Sequence, residues 1–254
     1  MVSRQLALFL IAIGFFTRIP IPASVRIDAE RLNQASRYFA AVGVVIGLAS
    51  AICFVALSQV LPTSVAIIAA MIVSVIITGG FHEDGLADTA DGFGGGWTVA
   101  DKLAIMKDSR LGTYGALALV LALLAKFVLL SEIALLDHYY VAASLVLGHC
   151  LSRMVAASMI FSATYVRDGE NKSKPLANSQ TINELAVLLI TGALVLWLSP
   201  INHYLSLFAC LFLCRYMLLW GFKRQIGGYT GDTLGAAQQV AELVIYLFIL
   251  MVLA

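Results

Sequence analysis

The residues best suited to chemistry lie in one glycine-rich stretch, GGFHEDGLADTADGFGGG, Gly79 to Gly96, which carries His82, Glu83, Asp84, Asp88 and Asp91. If Asp84 to Asp91 is helical, the three aspartates fall at i, i+4 and i+7, within roughly a 60° arc of a 3.6-residue helix. Three carboxylates on one face repel and raise one another's pKa unless a cation neutralises them. Hard oxygen ligands with room for water and phosphate oxygens suit Mg²⁺. The expected metal ligands are therefore Asp84, Asp88 and Asp91, with glycines on both sides that let backbone approach a bulky ligand. An acidic, solvated loop end is the plain alternative.

Two further segments carry compatible chemistry. KDSRLGTYG, Lys107 to Gly115, offers Arg110 as a planar fork for phosphate, with Lys107 as a second cation, Thr113 as a hydroxyl donor and Asp108 as a further carboxylate. An Arg–Asp pair at a helix end accounts for Asp108 and Arg110 equally well. GGYTGDTLGA, Gly227 to Ala236, matches GGFHEDGLAD, Gly79 to Asp88, in the glycine pair, the aromatic, the Asp and the Leu. That alignment sets Asp232 against Asp84, as in a parallel internal repeat, and adds Asp232 to the expected metal ligands and Thr230 to the expected substrate-binding residues.

These segments need elements to hold them, and composition says which kind. Of the 254 residues 61% are hydrophobic and 12% charged, with a mean hydropathy of +0.92, against roughly 25% charged in a soluble domain. The chain is expected to be all-α, a polytopic transmembrane helical bundle of about seven spans plus a short N-terminal apolar helix. Residues 1–254 are read as a single integral membrane domain. The spans run from Tyr38 to Leu61, Ser64 to Gly80, Tyr114 to Leu136, Tyr139 to Thr164, Leu185 to Ser199, Tyr204 to Gly221 and Ala236 to Ala254. The run Leu6 to Phe16 reads as a retained short span or re-entrant helix rather than a cleaved signal, because Arg18, Pro20 and Pro22 interrupt it.

Short connections around Pro62, Asp137 and Asn202 alternate with long ones. The long ones hold Arg18, Arg26, Arg31, Arg37, Lys102, Lys107, Arg110, Arg167, Lys172, Lys174, Lys223 and Arg224, twelve of the 16 lysines and arginines. The positive-inside rule makes that side cytoplasmic, and all three chemical segments lie on it. A net charge of +1 gives no field to recruit nucleic acid. Cys53, Cys150, Cys210 and Cys214 lack metal or redox spacing and read as small core residues.

Charged residues remain inside the spans. His149 and Arg153 are one helical turn apart, which makes Arg153 a candidate for an anion. Lys126, Glu132, Arg215 and Glu242 are expected to pair structurally within the bundle. His82, Asp84 and Asp88 are the candidate proton-transfer groups, with Arg110 at the phosphate.

GGFHEDGLADTADG, DSRLGTYG, GGYTGDTLGA and the amino-terminal FFTRIPIP together resemble cobalamin synthase, adenosylcobinamide-GDP ribazoletransferase, in order and spacing over nearly the whole chain. The resemblance implies a Mg²⁺-dependent enzyme of the bacterial inner membrane with its active site on the cytoplasmic side. It would join adenosylcobinamide-GDP to α-ribazole or its 5′-phosphate and release GMP. Self-association, or association with other corrinoid-pathway enzymes, is compatible with it. Asp88-Thr-Ala-Asp91-Gly92 is also similar to the DxxDGxxAR signature of CDP-alcohol phosphotransferases, but Phe93 to Gly96 replace the rest. A transporter using Lys126, Glu132, Arg153 and Glu242 as a path is the reading from another class, and a structural partner for corrinoid enzymes is a third.

Overall fold

The structure is a computed structural model and describes residues 3–166 and 177–254. Eleven α-helices form it: α1 (Arg4–Phe16), α2 (Ala29–Ala35), α3 (Phe39–Leu57), α4 (Thr63–Thr78), α5 (Phe81–Gly95), α6 (Val99–Ile105), α7 (Thr113–Leu136), α8 (His138–Ser162), α9 (Ile182–Trp197), α10 (Tyr204–Ile226) and α11 (Gly231–Leu253). Five helical stretches are long and apolar enough to cross a membrane: Ala29–Leu57, α7, α8, α10 and α11; the bent pair α4 and α5 adds a sixth. About seven spans were expected. The difference lies in α4 and α9, whose 16 residues each reach only about 24 Å, short of a hydrocarbon core of about 30 Å.

Helix starts follow local chemistry. Asp137 caps α8 by accepting from the Tyr139 N–H at 2.8 Å, and Thr98 forms a capping box with Asp101 at the start of α6. The bundle is organised around α8, most of which is buried, while α7 and α10 turn Leu121, Leu124, Phe212 and Met217 outward, as lipid-facing helices do. Close packing on α8 depends on small residues. A Cβ on Gly47 would sit 2.7 Å from the Val146 Cα, so α3 approaches α8 backbone to backbone. Cys150 is buried and Cys53, Cys210 and Cys214 are half-buried, all as free thiols.

The charged residues inside the spans divide. Lys126 pairs with Glu242 at 3.1 Å in the interior, and Arg215 donates to the Ser158 Oγ and carbonyl at 2.7 and 3.0 Å. Glu132 departs from the expected internal pairing, because its position on α7 leaves it exposed.

The starts of α3, α7, α9 and α11 and the ends of α4, α8 and α10 meet at one end of the bundle. The described basic residues of the long connections gather there; Arg167, Lys172 and Lys174 lie outside the described residues. Helix α1 stays at this end too. Arg4 donates to Gln34 at 3.1 Å, Tyr38 donates to Gln5 at 2.8 Å, and Phe15 and Phe16 pack on Phe39 and Phe81. It caps the mouth rather than crossing.

Candidate functional site

The site is built where α4 gives way to α5. Gly79 and Gly80 take left-handed conformations, φ +68° and +71°, which end α4 and turn the chain by 86°. Helix α5 then runs across the ends of other helices. A Cβ on Gly85 would lie 2.8 Å from the Asp232 carbonyl and 3.1 Å from the Gly235 Cα, one on Gly115 2.9 Å from the Ala87 carbonyl, and Phe93 meets Phe222 edge-on. The acidic segment is thus a helix pressed against the starts of α7 and α11 and the end of α10. Gly227, like Gly79, is left-handed at φ +82° and ends its helix, but the likeness of the two glycine-rich segments then stops. Helix α11 starts three residues after Gly228, behind a bridge between Tyr229 and Tyr165. Tyr229 is fully buried and its hydroxyl is pushed up to about 12 by that burial.

The aspartates on α5 share a side of the helix and divide their roles. Asp84 and Asp88 line an open cleft of about 650 Å³ together with Phe15, Arg18, Thr78, Gly79, Gly80 and Ser109. Asp84 is exposed and Asp88 half-buried. Asp91 is buried; its two oxygens accept the N–H groups of Gly112 at 2.7 Å and Gly115 at 2.8 Å. Those are orphan donors of the first turn of α7, so Asp91 works as a cap supplied from another segment. Replacing Asp91 by Ala is expected to cost about 1–2 kcal/mol, read as a lower thermal midpoint in lipid, with measurable turnover remaining in the folded fraction. Complete loss of turnover at unchanged stability would instead put Asp91 at the reacting centre.

Asp232 sits in the first turn of α11, its backbone on Gly85 and its carboxylate 3.5 Å from the Thr230 hydroxyl. It does not line the Asp84 and Asp88 cleft. Thr230 is fully buried and caps α11, accepting from the Thr233 N–H at 3.2 Å. Among the described residues no group of three or more His, Cys, Asp or Glu side chains is arranged to hold a metal. A Mg²⁺ ion held with substrate phosphates needs only one or two carboxylates, the remaining positions going to water and phosphate oxygens. Asp84 and Asp88 fit that smaller requirement.

The 107–113 segment straddles two cavities. Ser109 and Leu111 reach the Asp84 and Asp88 cleft, whereas Asp108, Arg110 and Thr113 line a neighbouring, more open one with Asp91. Arg110 is exposed and paired: its Nε lies 3.0 and 3.1 Å and its Nη2 2.5 Å from the Asp108 carboxylate. The guanidinium holds that carboxyl below its ordinary range. Lys107 is exposed and lines neither cavity.

His82 and Arg153 face inward, away from this cleft. His82 stacks on Phe16 at 5.4 Å, and both line an internal cavity of about 30 Å³ with Phe15, Phe39, Phe81, Gly231 and Gly235. Arg153 donates to the His149 carbonyl at 2.9 Å. On a 3.6-residue helix His82 projects some 160° from Asp84, so it does not face a group bound beside Asp84 and Asp88. Lys126, Arg153 and Glu242, the ladder a transporter would use, are buried, and this cavity of one or two water volumes is what borders Arg153. The residue that composition and spacing missed is Arg18. The FFTRIPIP segment that contains it was the available signal.

Fold and site together define a multi-pass helical membrane protein with a polar, carboxylate-bearing cleft at its basic end. The family model for cobalamin-5-phosphate synthase matches residues 8–250. Similar proteins include adenosylcobinamide-GDP ribazoletransferases of Shewanella woodyi, 59% identical over 97% of this chain and 96% of the relative, and of Shewanella piezotolerans, 62% identical over 98% and 96%. The Shewanella baltica protein of that name is 56% identical over 98% and 95%. No solved structure matches the chain. The chain belongs to the cobalamin-5-phosphate synthase family and is a transferase of cobalamin biosynthesis.

Proposed function

We propose that this chain is an adenosylcobinamide-GDP ribazoletransferase. The hydroxyl of α-ribazole, or of its 5′-phosphate, attacks the phosphorus that bears the cobinamide. The new P–O bond forms as the phosphoanhydride bond breaks, so adenosylcobalamin or its 5′-phosphate is made and GMP leaves with the electron pair. The hydroxyl proton passes to a carboxylate of the cleft, and Asp84 and Asp88 are the bases that line it. The observation that carries this reading is the pairing of these two carboxylates with backbone glycines in one open cleft, in a chain whose relatives at 56–62% identity bear that activity in their names.

Asp84 and Asp88 would hold Mg²⁺ there. Bound with the diphosphate, the ion would neutralise the charge that develops on phosphate oxygens. Ser109 would donate to the same oxygens from the far wall. The basic residues gathered at this end support a cytoplasmic cleft in a bacterial inner membrane.

The test uses purified protein in lipid nanodiscs with adenosylcobinamide-GDP and α-ribazole or its 5′-phosphate. Cobalamin product and GMP are expected in equal amounts, lost on chelation and restored by Mg²⁺ alone. Folded protein that yields neither product with both acceptors overturns the reading, and turnover indifferent to chelator removes the metal from it.

A further inference from the structure

The cleft contains a cation that neither the metal reading nor the phosphate reading of Lys107 and Arg110 used. Arg18 follows Thr17, which closes α1, and its side chain is exposed in the cleft with Asp84 and Asp88. No carboxylate among the described residues pairs with its guanidinium, in contrast to Arg110, which Asp108 holds through three contacts.

The surrounding segment fixes Arg18 residue by residue. The Thr17 hydroxyl donates to the Ile13 carbonyl at 2.7 Å and accepts the Ile19 N–H at 3.2 Å, closing α1 on one side of Arg18 and holding the chain on the other. The Arg18 N–H donates to the Ile77 carbonyl at 2.8 Å, which ties its backbone to the last turn of α4. Pro20 then prevents any continuation of the helix. A Cβ on Gly79 would lie 2.9 Å from the Arg18 Cζ and Nη2, so the guanidinium packs against the left-handed joint between α4 and α5. Two constraints thus meet at Gly79, the positive φ of the turn and the space the guanidinium occupies.

The geometry points to Arg18 as the residue that grips the diphosphate of the nucleotide-linked substrate, opposite the carboxylates. This inference rests on the proposed transferase reading and assigns the phosphate-binding cation within it. A diphosphate that binds between Asp84, Asp88 and a guanidinium meets opposite charge on both sides once the carboxylates are covered by a divalent ion. A planar fork that no described carboxylate holds, already fixed at its backbone, binds phosphate oxygens two at a time with little ordering left to lose. The sequence TRIP is thereby accounted for: Thr17 closes the helix, Arg18 reaches the ligand, the Ile19 N–H donates back to the Thr17 hydroxyl and Pro20 stops the turn.

Three measurements on the full chain in nanodiscs test it. Arg18→Gln is expected to raise KM for adenosylcobinamide-GDP at least tenfold and to weaken binding of magnesium pyrophosphate, measured by titration calorimetry, by a similar factor. Arg18→Lys should recover part of both, while Arg224→Gln, which removes an exposed cation stacked on Trp220 at the same end of the bundle, should change neither. In the wild-type protein, magnesium pyrophosphate should slow phenylglyoxal labelling of Arg18, a readout that needs no variant to fold. Unchanged KM and pyrophosphate binding in Arg18→Gln, a loss confined to kcat, or labelling indifferent to pyrophosphate would each overturn the assignment. If the wild type binds magnesium pyrophosphate through Arg18 yet makes no cobalamin, the transferase reading fails and the phosphate site stands.

Discussion

Asparagine at Asp84 or Asp88 is expected to reduce cobalamin formation by on the order of a thousandfold, the scale seen when one preorganised group that meets developing charge is removed. The substitution keeps the shape and removes the charge. Asp84 is exposed on α5 and its carboxylate has no partner among the described residues, so the folded protein loses little; exposed substitutions of this kind usually change stability by no more than about 0.5 kcal/mol. The amount of folded Asp84→Asn protein in the membrane should therefore match wild type while its turnover falls. The two variants should also need more Mg²⁺ for whatever turnover survives. Near-normal turnover at ordinary Mg²⁺ in both variants would remove the metal and the acid–base role from this cleft together, and the aligned carboxylates would be a solvated helix face.

That contrast with Asp91 marks where sequence stopped being informative. The i, i+4, i+7 spacing correctly made Asp84 to Asp91 helical with a shared side, because periodicity is a local property. It could not tell Asp91 from Asp84, since what separates them is the start of α7, 21 residues on in the chain, whose N–H groups of Gly112 and Gly115 claim one carboxylate and leave the other to the cleft. Arg110 and Arg18 invert in the same way. Arg110 looked like the phosphate fork because of its type and its glycine neighbours, but Asp108 two residues earlier pairs with it, whereas Arg18 is brought to the cleft by the hydrogen bond from its own backbone to the Ile77 carbonyl of α4, which no spacing encodes. His82 was close in sequence to the aspartates and sits on the other side of their helix. The helical membrane class, by contrast, followed from composition alone, because lipid leaves the backbone few other choices.

The second large effect is expected far from the cleft. Glu242 lies in the interior of α11, accepting from Lys126 at 3.1 Å, Tyr246 at 2.8 Å and Gln238 at 2.8 Å, with both charged side chains almost fully buried. Glu242→Leu leaves the Lys126 ammonium without its counter-charge, and breaking a buried pair from one side costs about 3–5 kcal/mol. Against a total stability of roughly 5–15 kcal/mol, that is a large share of the margin, so the thermal midpoint should fall sharply and less folded protein should accumulate in the membrane. Lys126→Met combined with Glu242→Leu removes both charges and should restore much of the folded fraction. The double variant then separates stability from activity, because Gln239 links this pair to the site: its Oε1 accepts from Lys126 at 3.2 Å and its amide donates to Glu83 on α5 at 3.0 Å. Without Lys126 that link no longer fixes the helix that carries Asp84 and Asp88, so the restored protein should turn over more slowly than wild type. A Glu242→Leu protein as stable as wild type, or a double variant no better folded than the single, would mean that the pair does not hold the bundle around α11, and the slower turnover would then need another cause.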